Sequence, residues 1–162
     1  MIKAMKAVTA TLLLTLVSTS AFALRISETF DVSVTIPSAA FHVIPADPGW
    51  IHLEQRLDWN PHTSELSRLR KQFDVKNENG AISARLSFEP YLNNGRDSDD
   101  IPLLVTFNNT RLTLDAQEVI SEVDGRTGKR VALEIAAVKP GAGYRPGDYY
   151  GSVHMLFEAI VP

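Results

Sequence analysis

From Ile26 onward the chain alternates, with Ile26, Phe30, Val32, Val34 and Ile36 on one face and Ser27, Thr29, Asp31, Ser33 and Thr35 on the other. Glu28 alone breaks the pattern. A period of two sustained this long, with β-branched residues on most of the apolar face, predicts a strand, and Pro37 ends its pairing. Phe41 to Ile44 reads as a short strand, turned by Pro45-Ala46-Asp47-Pro48-Gly49 ahead of Trp50-Ile51-His52-Leu53. Asp58 to Leu69, interrupted by Asn60-Pro61, reads as a loop. Lys71 to Lys76 alternates again, Asn77-Glu78-Asn79-Gly80 follows, and Ala81 to Phe88 carries Ile82, Ala84, Leu86 and Phe88 on one side. That order predicts a hairpin closed by an Asn-Gly turn.

Past the polar loop Asn93 to Asp100, strands are expected at Ile101–Phe107, at Thr110–Leu114 pairing back through Asn108-Asn109, around Val119–Val123, and at Val131–Ile135. Gly125-Arg126-Thr127-Gly128 reads as a turn, and Pro140 to Gly147 is the longest cluster of breakers. Tyr149 to Val161 closes the sequence with Val153, Met155, Phe157, Ala159 and Val161 on one apolar face. No segment keeps a helical period for three turns. Many short alternating strands separated by Gly, Pro and Asn predict an all-β sandwich of about seven to nine strands.

The first 23 residues do not fit that pattern. Lys3 and Lys6 precede an apolar run from Ala7 to Val17, and Ala21-Phe22-Ala23 supplies small residues two apart. A positive start, an apolar stretch too short to span a bilayer and an A-x-A site read as a cleaved secretory signal rather than a membrane anchor or a buried first helix. The mature chain is then expected to begin at Leu24. Taking 23 residues from 162 leaves 139, enough for one domain with a real core. Losing Lys3 and Lys6 moves the net charge from -3 to -5, which argues against nucleic acid as a partner. The chain has no cysteine, so core packing and strand pairing must hold an exported fold without disulfides. Thiol catalysis and cysteine metal sites are excluded by the same fact.

Catalytic, metal and cofactor chemistry finds no foothold. His42, His52, His62 and His154 have no partner at metal-ligand spacing. Asp97-Ser98-Asp99-Asp100 lacks the spaced glycine and distal glutamate of a calcium loop. Around Gly125-Arg126-Thr127-Gly128-Lys129 a phosphate loop would need an earlier glycine where Val123 stands. Gly141, Gly143 and Gly147 miss dinucleotide spacing, and no serine sits in a nucleophile elbow. Asn108-Asn109-Thr110 matches a glycosylation sequon, a match common by chance.

Both ends of the expected mature chain are long amphipathic strands, and no closing edge strand is expected after the last one. In order along the chain stand Phe30-Asp31-Val32-Ser33-Val34-Thr35-Ile36-Pro37, Phe73-Asp74-Val75-Lys76, Ile101-Pro102-Leu103-Leu104-Val105 and Pro146-Gly147-Asp148-Tyr149-Tyr150-Gly151-Ser152-Val153. With these motifs the chain resembles the major subunits of coli-surface-antigen-one-type fimbriae, the group that includes colonization factor antigen I and the alpha-fimbriae. Trp50, Trp59 and Asn60-Pro61 depart from the enteric members.

The resemblance implies an immunoglobulin-like sandwich lacking its last strand and completed by donor-strand exchange. Residues 24–37 would form the donor strand, entering a neighbour through Ile26, Phe30, Val32, Val34 and Ile36, and residues 38–162 the pilin domain. Val153, Met155, Phe157 and Ala159 would line the acceptor groove. Identical subunits, a periplasmic chaperone, an outer-membrane usher and a tip adhesin are the implied partners, and the implied location is a cell-surface fimbria adhering to host or abiotic surfaces. The first strand pairing within its own chain is the alternative. A minor subunit, or a secreted glycan-binding module using Tyr144, Tyr149, Trp50 or Trp59, is the competing function.

Overall fold

Alternation turns into two antiparallel sheets in the computed structural model, which describes residues 40–160. The expected signal segment and the strand Ile26 to Ile36 therefore lie outside the described residues. In the first sheet β1 (Phe41–Pro45), β4 (Leu69–Asn77), β10 (Lys129–Ala137), β7 (Ile101–Phe107) and β6 (Tyr91–Leu92) lie side by side in that order, with β8 (Thr110–Arg111) also paired to β7. The second sheet is β11 (Met155–Ala159), β5 (Ile82–Leu86) and β9 (Gln117–Ile120). A separate small hairpin joins β2 (Trp59–Asn60) to β3 (Glu65–Leu66), where the sequence suggested only loop.

The registers stack the apolar positions on one face. Val131 lies opposite Phe73, and Leu133 opposite Phe107, so β4, β10 and β7 present a continuous apolar surface. Ile82, Ala84 and Leu86 from β5 and Val119 from β9 meet it from the second sheet. Phe107, Ile82, Leu133 and Val75 are fully buried. The outer faces stay polar, and there Asp74 and Arg130 lie opposite each other and join through two hydrogen bonds of 2.7 and 2.8 Å.

The expected hairpin between β4 and β5 does not form. β4 belongs to the first sheet and β5 to the second, so Asn77 to Gly80 carries the chain from one layer to the other. Neither Asn79 nor Gly80 has the positive φ that a two-residue type I′ turn requires at both central positions. Buried Asn77 builds the corner instead: its Nδ2 donates to the Ala81 carbonyl at 2.6 Å and the Ile160 carbonyl at 3.4 Å, and its Oδ1 accepts from the Asn79 amide at 3.2 Å. Both strands have apolar inner faces, and laying them side by side would leave the core without its second wall. The left-handed turn occurs at Asn108-Asn109, with φ of 47° and 63°, linking β7 to β8.

Gly125 to Gly128 is not a simple turn either, because it falls in the six-residue helix α1 (Glu122–Thr127) and its cap. Ser121 accepts from the Asp124 amide, Glu122 and Asp124 sit in the first turn, Arg126 lies in the last, and Gly128 ends the helix at φ 80°. These are ordinary start and stop signals. The helix packs against the Asn77–Gly80 corner at Gly125, where a Cβ would overlap the carbonyl oxygen of Gly80. Gly125→Ala is expected to destabilise the chain by about 1–3 kcal/mol through overpacking, read as a lower denaturant midpoint; an unchanged midpoint would show that the helix is free to shift.

Candidate functional site: an apolar groove along an open strand edge

β11 is shorter than the strand its alternation predicts, and the preceding residues reach it through a bridge between Tyr150 and Asn93. Val153, Met155 and Phe157 are half-buried and pack on the core, whereas Ala159 is exposed. The first three line a groove of about 690 Å³ together with Val43 of β1, Leu69 and Phe73 of β4 and Leu133 of β10. Ala159 is outside that lining. Four rings lead from the groove wall through the core to β11: Trp50 meets Phe73 at 5.9 Å, Phe73 meets Phe107 at 5.6 Å, and Phe107 meets Phe157 at 4.9 Å.

The backbone of β11 is used on one side. The Ile160 amide donates to Ala81 at 2.9 Å and the Ser87 amide donates to His154 at 3.0 Å, and β11 pairs with β5 in the same register between them. In an antiparallel ladder bonded pairs recur every second residue, so Leu156 and Glu158 also bond to β5. The amides and carbonyls of Met155, Phe157 and Ala159 point to the other edge, where no described strand pairs with β11. Met155 and Phe157, whose side chains face the core, thus also present ladder groups beside the groove that no described residue satisfies.

The chain 50–57 contributes to the same groove. Trp50, Ile51, Leu53 and Leu57 line it, and Trp50 is half-buried against Phe73 rather than standing exposed as an independent binding ring. Lys71 places its ammonium 5.1 Å from the centre of the Trp50 ring.

The other aromatic residues singled out in the sequence do come together. Trp59 and Tyr144 meet edge to face at 5.6 Å, and both line a cleft of about 360 Å³ with Tyr149, Leu66 and Ile101. Tyr149 Oη donates to the Arg145 carbonyl at 3.1 Å, and the Arg145 guanidinium stands 3.4 Å from the buried carboxylate of Asp99. Desolvation, followed by the charge of Glu65, raises the Tyr144 phenol. Asp99, from the polar loop Asn93 to Asp100, accepts from Asn94 at 3.2 Å and Ser98 at 3.0 Å. The Asn94 bond, then that from Ser98 and the charges of Arg145 and Arg96, hold its carboxyl below the usual range against the opposing cost of burial. Among the described residues no cluster of three metal-ligating side chains forms, and His154 packs on Phe88 at 5.0 Å.

The family model of the CS1 type fimbrial major subunit matches residues 26–158 of the chain. The chain belongs to that family. It is a major subunit of CS1-type fimbriae, a structural pilin of the cell-surface fimbrium and not an enzyme. The CooA pilin subunit from enterotoxigenic Escherichia coli is similar in fold, with a TM-score of 0.63 at 19% identity over 74% of this chain and 86% of that one. A chain from a structure of the chaperone-tip adhesin complex in CFA/I fimbriae biogenesis aligns at a TM-score of 0.48 and 14% identity, over 72% of the pilin and 41% of that chain. No curated protein sequence matches the pilin.

The lowered carboxyls of Asp99 and of Asp74, whose partner is Arg130, give the pilin an acid limit. A carboxyl depressed by folding adds stability above its unfolded value, near 3.8, and that stability is lost as pH falls through the folded value. Denaturant midpoints are expected to fall as pH drops below about 4. Asp99→Asn should flatten part of that fall and lower the midpoint at pH 7; an Asp99→Asn profile parallel to the parent would show that the anchor adds nothing.

Proposed function

We propose that this pilin polymerises head to tail, with the strand Ile26 to Ile36 of one copy laid along the open edge of β11 in the next. The observation that carries the reading is the coincidence on β11 of ladder groups at Met155, Phe157 and Ala159 that are unpaired among the described residues with an apolar groove floored by Val153, Met155 and Phe157. A strand with one apolar face satisfies both at once, and the leading segment has that period. Ala159 then contributes through its backbone rather than its side chain.

Burying Ile26, Phe30, Val32, Val34 and Ile36 at roughly 1.5 to 3 kcal/mol each gives about 7 to 15 kcal/mol before ordering costs. Ladder hydrogen bonds add register and a smaller gain. On this reading residues 1–23 are a cleaved leader, residues 24–37 the donor with Pro37 and Ser38 to Ala40 as its hinge, and residues 38–162 an immunoglobulin-like body that receives the neighbour's strand. An open edge beside an apolar groove aggregates unless covered, which gives a periplasmic chaperone its task before an outer-membrane usher exports the subunit. A tip adhesin would complete a fibre that holds cells to surfaces.

A second reading, that the shaft itself holds glycans, draws on the cleft of Trp59, Tyr144 and Tyr149. Trp59→Ala would then abolish retention on immobilised glycans while fibres still form; unchanged retention removes that reading.

For polymerisation, the purified mature chain is expected to give heat-resistant multimers on a gel, and Val32→Asp or deletion of residues 24–36 to abolish them. Moving residues 27–37 behind a flexible linker after Pro162 should yield a stable monomer. Multimers that survive the deletion would sink the proposal.

A further inference from the structure

Leu53 is 66% exposed and Ile51 45% exposed, yet both line the groove beside the open edge of β11. Two apolar side chains left in water at the mouth of an apolar channel gain nothing in the isolated subunit. They would be buried if the channel were filled.

The segment that carries them is held in place. Asp47 Oδ1 accepts from the Gly49 amide at 3.0 Å, starting a short 3-10 turn over Pro48–Trp50. The Leu53 amide donates to the Trp50 carbonyl at 2.9 Å. Gln55 Nε2 donates to the carbonyls of Trp50 at 3.1 Å and Leu53 at 3.0 Å. Trp50 itself is fixed between the edge of Phe73 and the Lys71 ammonium. A surface that is apolar, exposed and pre-ordered binds without a large ordering cost.

From this we infer that Ile51 and Leu53 form a clamp that closes on the strand inserted from the next copy of this chain, a contact distinct from the β11 ladder. The inference rests on the donor-strand reading and adds a second contact surface to it. The occupant is the segment Ile26 to Ile36 of a neighbouring copy, whose apolar face matches the clamp and whose outer Ser and Thr residues would remain in water. The clamp acts on the lifetime of the joint, since Leu53 supports little of the subunit's own core.

The absence of cysteine allows a direct test in the full chain. In a Leu53→Cys variant, separated into monomer and multimer fractions, maleimide labelling is expected to be at least about tenfold slower in multimers, as burial by a partner requires. A Lys139→Cys variant, altered at an exposed position, should label alike in both fractions. As an independent readout, Leu53→Ser should keep the parent's far-UV circular dichroism and shorten multimer lifetime in hot detergent about tenfold, the change produced by losing part of one buried leucine. Equal labelling of the Leu53→Cys variant in both fractions, or Leu53→Ser multimers as durable as the parent's, overturns the clamp but leaves donor-strand exchange standing. If the unsubstituted chain forms no multimers, donor-strand exchange fails and the clamp with it.

Discussion

Phe107 is where the two sheets become one body. It comes from the first sheet, is fully buried, and packs against Phe73 of its own layer and Phe157 of the facing one. These ring contacts, edge to face with Phe73 and tilted with Phe157, add to simple burial and restrict how the layers can slide. With no cysteine to staple them, the sheets depend on this apolar contact to fix the spacing between β4 and β11. That spacing is what creates a groove.

The strand content was largely legible because one physical rule, alternation against a shared core, governs most of the described chain. Ile101–Phe107 appears with the expected limits and Phe41 with its neighbours as expected. The rule says which face is buried but not which layer a strand joins, and this is why Asn77 to Gly80 looked like a hairpin. Layer choice was settled by the Asn77 side chain and its bonds to Ala81 and Ile160, the latter more than eighty residues away. Helix α1 was legible in principle from Ser121, Asp124 and Gly128. Two glycines in four residues outweighed those caps.

Of the groove, the sequence disclosed the part that lies on a regular strand. Met155 and Phe157 follow from the period of β11, with Val153 two residues before it, while Ala159 falls where the strand runs past the cavity. The wall made by residues 50–57 could not be read, because a short 3-10 turn pinned by Gln55 has no period. Trp50 drew notice as a candidate surface ring; its contact with Phe73 turns it toward the core. The loops around Asp99 and Tyr144 were correctly taken as irregular, yet polarity in sequence gave no sign that a carboxylate among them would be enclosed.

β11 is anchored just beyond both ends, by the Ile160 amide on the Ala81 carbonyl and by the Ser87 amide on the His154 carbonyl. A strand tethered only in its middle could creep lengthwise by a residue pair, and anything aligned with it would creep too. Tethered at each extremity, β11 serves as a graduated ruler, and under the proposed donor-strand exchange an incoming chain segment must match its divisions or leave a polar group unmatched.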